Sequence, residues 1–582
     1  MDKPKLYKIE KIEQKTPKVK SFCFYSEKIS REAKPGQFLM VWVPGFDEFP
    51  ISIASAYNRR IEIAVAKVGK GTEALHKFKV GDYVGIRGPY GNWFNNLGEK
   101  VCAVVGGYGS PAIRFYAEKN KKDLTVFLGA KTKEELLYKE EIEKFARVKV
   151  ATEDGSEGFK GLVTELFSQE IEKEKFDRVM SCGPEIMMKK VCEITRDYKI
   201  PTQVLTERIV KCAKGFCGSC DLGGYRICKE GPVFDSEKIY GKTEFGVWTR
   251  DKSGKRASIK GILSEDFSSF LSEQFTPKRD EYFETELCGI KFPNPFMNSS
   301  GFGISGKLLY RYAIEGGAGA LVTKSVCLEE KEGFDGPNFF EIKKFTPINA
   351  MGLPNPGIGN MKYEIEDMKK ANVPVILSVF GKNPEEYKKV AEIGVDYGIS
   401  MVEINVSCPH TEVSSIEENP ELVKEIVKEV ARVCHPFGIP VSVKISPNSN
   451  YIEVAKAAEE GWANSIVAIN TLRYMPIDKK LNLKMLGSPS GFGGISGKGI
   501  KKLSEKILKD LRKEIDLPII SVGGIFSWKD ALKRFTFGAS ACQIGSAIGY
   551  KGIKVFEEIK NGLKNYMEKN GYKNINELIS FP

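Results

Sequence analysis

The sequence predicts a multidomain α/β and β protein: an N-terminal antiparallel β-barrel, a Rossmann-like nucleotide-binding domain, a cysteine-rich module and a C-terminal (β/α)8 barrel. Three observations carry this. Short alternating strands fill roughly the first hundred residues, a strand, glycine turn and helix start follow Lys100, and eight short apolar runs recur between helical stretches in the last three hundred.

At 582 residues there is length for several cores, roughly three to five domains. The 88 Lys and Arg against 76 Asp and Glu are interspersed, so the +12 balance reads as a solvated surface and nucleic acid binding as a weaker reading. Thirteen cysteines without a signal-peptide pattern suggest thiols kept reduced or bound to metal, hence a cytoplasmic protein. No apolar run approaches the roughly 18 residues that span a bilayer. No membrane partner is expected, and the sequence leaves a homo-oligomer open.

Residues 1–97 alternate in short runs, at 37–43, 51–54 and 61–65, divided by turn residues. Within them Gly69, Gly71 and Thr72 precede a short helical stretch, where backbone amides and a hydroxyl suit a pyrophosphate. From 98 to 204 strands and helices alternate. The first strand, 101–105, runs into Gly106, Gly107, Tyr108, Gly109, Ser110 and Pro111, the turn that lets a dinucleotide pyrophosphate approach the backbone; an ordinary tight turn is the plainer reading. Further runs at 124–128, 148–152 and 178–181 extend a parallel sheet and favour the nucleotide reading.

Between 205 and 240, Cys212, Cys217 and Cys220 show the spacing C-x4-C-x2-C, with Cys228 beyond and glycines at 215, 218, 223 and 224. Four thiolates on a Gly-rich loop suit a [2Fe–2S] cluster, and a zinc site more often shows two CxxC pairs. Residues 241–280 are polar and charged, with 249–256 reading as a turn or hairpin, and are expected to be an inter-domain linker.

The eight apolar runs of residues 281–582 lie at 295–299, 320–323, 375–379, 401–405, 441–445, 465–470, 518–522 and 541–544. Polar residues or glycine pairs stand at most of their C-terminal ends, where such barrels keep their chemistry: Asn298 and Ser300, Lys324, Asn405, Lys444, Asn470 with Thr471, Gly523 with Gly524, and Gly545 with Ser546. The last two turns are where these barrels bind a phosphate, which suggests FMN. Lys324 and Lys444 end buried-looking strands, where an anionic ligand would satisfy them. After the run 401–405 comes Cys408, held by Pro409 beside the Asn405 carboxamide, a thiol able to exchange a proton.

These motifs carry a resemblance. Residues 1–235 resemble the electron-transfer subunit of class 1B dihydroorotate dehydrogenase, and residues 281–582 resemble its FMN-bearing catalytic subunit, fused here in one chain. The motifs are NAMGLPNPG at 349–357, TKS at 323–325, NVSCP at 405–409, VK at 443–444, NT at 470–471, and GG at 493–494 and 523–524. The resemblance implies oxidation of dihydroorotate to orotate in pyrimidine biosynthesis, with electrons passing from FMN to [2Fe–2S] to FAD to NAD⁺. It implies that Cys408 is the base and that Lys324, Asn349, Met351, Gly352, Leu353, Asn405, Asn470 and Thr471 hold the substrate, with Lys324 also stabilising developing charge. By the same matching Ser300, Gly301, Lys444, Gly494, Gly523, Gly524, Gly545 and Ser546 hold FMN. The N-terminal barrel with Gly69, Gly71 and Thr72 would take FAD, and Gly106, Gly107 and Gly109 would take NAD. The chain departs from the family pattern at His410, where Asn is usual, at Phe49, where Arg is usual, and in the short interval from Cys220 to Cys228.

Two other classes share parts of this pattern. Dihydropyrimidine dehydrogenases carry SCPH and act on uracil or thymine, but their barrels lack the NAMGLPNPG loop. A tRNA dihydrouridine synthase also pairs an FMN barrel with a cysteine, but would need an RNA-binding helical domain. A diaphorase whose barrel merely docks a partner leaves the polar strand ends unexplained.

Overall fold

The computed structural model describes residues 2–95, 98–120, 123–259, 274–275, 277, 280–406, 416–478 and 482–579. Six strands close the first barrel in the order Lys5–Thr16, Val19–Tyr25, Arg60–Ala66, Asp47–Tyr57, Phe38–Val43 and Tyr83–Tyr90. Alternation drives it: in Arg60–Ala66 the buried positions are Ile61, Ile63 and Val65, which meet Phe22, Phe24, Leu39 and Val41 in the barrel interior.

The second sheet has seven strands, in the order Phe159–Lys160, Arg147–Thr152, Asp123–Ala130, Lys100–Gly106, Arg178–Cys182, Thr202–Leu205 and Val233–Asp235. All pairs are parallel except the last. Its central strand is apolar without alternation from Val101 to Val105, because helices cover both faces of such a sheet.

All eight runs expected in the C-terminal part form parallel barrel strands: Phe296–Asn298, Leu321–Val322, Val375–Val379, Met401–Asn405, Val441–Ile445, Ser465–Ala468, Ile519–Val522 and Ala541–Ile544. A parallel bridge between Met297 and Ala320 closes the ring. Over its C-terminal mouth lies a four-stranded sheet of Phe339–Lys343, Thr346–Asn349, Gly493–Ile495 and Leu472–Tyr474.

Within the stretch expected as an inter-domain linker, the turn or hairpin expected at 249–256 forms, and it is packed. Residues 241–259 contain a hairpin of Trp248–Arg250 and Arg256–Ser258, and Trp248, Glu244, Arg250 and Ser253 are buried. Arg250 and Arg256 both donate to Glu364 on the helix Lys362–Lys369, and Arg256 also reaches Asp367 at 3.2 Å. The charges that read as solvated in sequence are thus paired across a contact, which is what allows them to be buried. Among the described residues no helix is long and apolar enough to cross a membrane.

Candidate functional site

The cavity at the mouth of the C-terminal barrel gathers most residues expected there. Lys324, Asn405, Lys444, Asn470 and Thr471 line it from the strand ends, with Ser300 and Gly301 after the first strand. Gly523 and Gly524, and Gly545 and Ser546, close it after the last two strands, while Asn349, Met351 and Leu353 cover it from above. Gly352 and Gly494 stand just behind. Gly352 has φ +72 and any Cβ there would meet the Phe334 amide at 2.5 Å; a Cβ on Gly494 would meet Thr471 Oγ1 at 2.1 Å. Cys408 and His410 lie outside the described residues.

Local bonding fixes the polar groups. Asn405 Nδ2 donates to Ser325 Oγ at 3.1 Å and Asn405 Oδ1 accepts from Asn470 Nδ2 at 3.2 Å, so the two amides are oriented before any ligand binds. Lys444 Nζ donates to Ser300 Oγ at 3.1 Å and to Glu403 Oε1 at 3.3 Å. Lys324 Nζ is buried and has no hydrogen-bond partner among the described residues. Burial pushes its ammonium below the ordinary lysine value, and the sulfurs of Cys217 and Cys212 oppose that shift. A buried cation beside amides that are already oriented suits a ligand with a carboxylate and an amide-like ring edge. The Gly523 and Gly524 turn, with φ +114 and +76, together with the Ser546 hydroxyl beside Ser496 at 2.9 Å, suits a phosphate.

The cysteine loop forms part of the same wall. Phe216 and Cys217 both line the cavity. The Phe216 ring packs tilted against Phe339, centroids 4.5 Å apart, and edge-on to Tyr550 at 5.1 Å, and a Cβ on Gly549 would meet it at 2.6 Å. From the other side Arg87, paired with buried Glu48 at 2.7 Å, donates to the carbonyl of Cys212 at 3.1 Å. Lys211 Nζ donates to the carbonyls of Glu332 and Lys252 at 2.7 and 3.1 Å. The loop is therefore held between the two barrels.

The four cysteines, Cys212, Cys217, Cys220 and Cys228, are all buried, at 4% exposure or less. Backbone amides of Gly215, Phe216 and Cys228 point at Cys228, Cys212 and Cys220 sulfurs at 3.2, 3.3 and 3.4 Å. Among the described residues no three such ligands converge on one point as a single ion requires. A two-iron cluster spreads four thiolates over two irons, so four buried cysteines on one glycine-rich loop with amides directed at their sulfurs fit it.

Three family matches divide along these same parts. Residues 282–567 match dihydroorotate dehydrogenase, and residues 207–240 match the iron-sulfur cluster binding domain of dihydroorotate dehydrogenase B. Residues 112–193 match an oxidoreductase NAD-binding domain. The probable dihydroorotate dehydrogenase B (NAD(+)) electron transfer subunit of Methanocaldococcus jannaschii is 46% identical over 261 residues, covering 44% of this chain and 99% of that relative. The catalytic subunit of Pyrococcus furiosus is 41% identical over 299 residues, 50% of this chain and 96% of its own. The chain belongs to the dihydroorotate dehydrogenase B family. The Methanocaldococcus jannaschii catalytic subunit is 38% identical over 294 residues, 49% of this chain and 94% of its own, so what are two chains there are one chain here.

In this dihydroorotate dehydrogenase B chain the two glycine turns of the electron-transfer half lie apart from the cavity. Gly69 caps the helix Lys70–His76, and a Cβ on Gly71 would meet the Phe49 ring at 2.8 Å. The Thr72 hydroxyl is committed locally, accepting from the Val68 and Gly69 amides at 3.0 and 2.9 Å and donating to the Gly69 carbonyl. Gly106 and Gly107 join the strand Lys100–Gly106 to the helix Ser110–Lys119; a Cβ on Gly109 would meet the Cys182 carbonyl at 2.1 Å, and Gly107 has φ +51. Glu403, Gln543, Ser325 and Phe216 were missed in sequence. For Glu403 and Gln543 a signal existed: each is a polar residue inside an otherwise apolar strand run.

Proposed function

We infer that this chain oxidises dihydroorotate to orotate, a step of pyrimidine biosynthesis, and delivers the electrons to NAD⁺. The observation that carries the reading is the shared wall, in which Cys217 of the cluster loop faces the same cavity as Lys324 and Asn405. We divide the chain into an FAD barrel (1–97), an NAD domain (98–204), a [2Fe–2S] module (205–240), a connecting segment (241–280) and the FMN barrel (281–582). Reduced thiols for cluster and base favour the cytoplasm.

Lys324, Asn349, Met351, Gly352, Leu353, Asn405, Asn470 and Thr471 hold dihydroorotate. Ser300, Gly301, Lys444, Gly494, Gly523, Gly524, Gly545 and Ser546 hold FMN. The turn of Gly69, Gly71 and Thr72, shaped by the local bonds of the Thr72 hydroxyl, is assigned to FAD through its backbone, and Gly106, Gly107 and Gly109 to NAD. Cys408 takes the proton from C5, and the Lys324 ammonium with the Asn amides offsets the negative charge that develops on the ring. When bound, FMN supplies the hydride acceptor, and the cluster with FAD supplies a one-electron path to NAD⁺.

Turnover with dihydroorotate and with dihydrouracil, each with NAD⁺, tests this reading. Dihydroorotate should be the faster substrate, and purified protein should carry about two iron and two acid-labile sulfides per chain. Zinc without sulfide, or preference for dihydrouracil, would refute it.

A further inference from the structure

Glu403 sits in the middle of the strand Met401–Asn405 and has no exposed surface. A buried carboxylate is costly unless both its oxygens are answered, and here they are. Its Oε1 accepts from Lys444 Nζ at 3.3 Å and from the Ser378 hydroxyl at 3.2 Å, and its Oε2 accepts from Gln543 Nε2 at 2.5 Å. Gln543 Oε1 returns to Lys444 Nζ at 3.1 Å, so lysine, glutamate and glutamine form a closed triangle across three strands.

The network continues in the other direction. Ser378 Oγ lies 2.9 Å from Ser325 Oγ, which accepts from Asn405 Nδ2, and Asn405 in turn accepts from Asn470. Lys444, Asn405 and Asn470 line the cavity, whereas Glu403 stands behind them and does not. One buried acid therefore connects the cation assigned to the flavin with the amides assigned to the substrate.

We propose that Glu403 is a positioning residue for the flavin half-reaction, fixing the Lys444 ammonium toward the cavity so that it stabilises the negative charge of reduced flavin. The proposal rests on the assignment of FMN to this cavity. Glu403 acts through Lys444, and that dependence gives it a test that structural packing alone would not meet.

Glu403→Gln keeps the shape and the acceptor for Ser378 and removes the charge. In full-length protein it should weaken FMN binding to the deflavinated enzyme by about tenfold, the worth of a charged hydrogen bond. It should also lower the midpoint potential of the flavin that dihydroorotate reduces. The double variant Glu403→Gln with Lys444→Met should be no worse than Lys444→Met alone in either quantity. Additive losses, an unchanged potential or a raised one would overturn the proposal, and so would a lower unfolding temperature with flavin affinity intact. If the unaltered protein binds no FMN, the assignment of the cavity fails and the proposal with it. FMN binding by the unaltered protein together with additive losses would sink the proposal alone.

Discussion

Lys324 shows how a single side chain advertises a ligand. Its ammonium is buried and makes no hydrogen bond among the described residues, a costly arrangement that a bound anion would relieve. Lys324→Met should therefore weaken orotate binding by about 2–5 kcal/mol, the usual penalty for deleting one partner of a buried charged contact, as read by titrating the flavin absorbance. The same variant should unfold no earlier than the parent when ligand is absent, because a buried cation without a hydrogen-bond partner among the described residues has been removed. A parent stability lost together with binding would make Lys324 structural. Cys408 is argued by chemistry alone. A free thiol titrates near about 8.5, so flavin reduction should rise with pH until the thiolate predominates, and Cys408→Ser should slow it by roughly 10² to 10⁴. His410 is the competing base two positions on. Were His410→Asn to abolish flavin reduction while Cys408→Ser left it nearly intact, the assignment would pass to the histidine.

The hairpin of Trp248–Arg250 and Arg256–Ser258 is the element whose role the structure changes most. Glu364 receives Arg250 at 2.9 and 3.2 Å, Arg256 at 2.7 Å and the Gly306 amide at 2.7 Å, all with almost no exposed surface. Burial raises the Glu364 carboxyl, but the two guanidiniums more than reverse this and hold it well below its ordinary value of 4.5. The sign follows. A lowered folded value means the unfolded chain binds the proton more readily, so the contribution is complete above about pH 4.5 and drains away as pH falls toward the folded value. Glu364→Gln should destabilise the chain by about 3–5 kcal/mol at neutral pH, because two buried guanidiniums lose their anion. Denaturant melts at pH 7 and pH 4 would check it. The gap between variant and parent should narrow at the lower pH, and a constant gap would remove the charge argument.

At the scale of the whole molecule the cysteine loop is clamped by both barrels. Phe216 enters the catalytic mouth, Arg87 grips the Cys212 carbonyl from the N-terminal barrel, and Lys211 ties the loop to residues 252 and 332. Electron transfer within one chain depends on that seating more than on any collision. Phe216→Ala should keep iron, sulfide and flavin reduction by dihydroorotate close to parent values. NAD⁺ reduction should fall by about tenfold, since truncating a packed aromatic leaves a cavity worth roughly 3–5 kcal/mol and loosens the loop. Stopped-flow absorbance separates the two steps; equal slowing of both would mean that Phe216 shapes the substrate site instead.

The barrel strands were legible in sequence because a strand covered on both faces must be apolar along its length. The polar residues at its end then stand out, as Lys324, Asn405 and Lys444 do. The cysteine spacing was legible for a similar reason, since ligands on one short loop are close in sequence as well as in space. What the sequence could not hold was any contact between residues far apart in the chain. Phe216 beside Phe339 and Tyr550, Glu364 under Arg250 and Arg256, and Glu403 between Lys444 and Gln543 are pairings that only folding creates. The residues of 249–256 read as a turn or hairpin outside any core because charge in sequence is indistinguishable from charge neutralised by a distant partner; the tertiary structure supplies the partner and so decides which charges are surface and which are core.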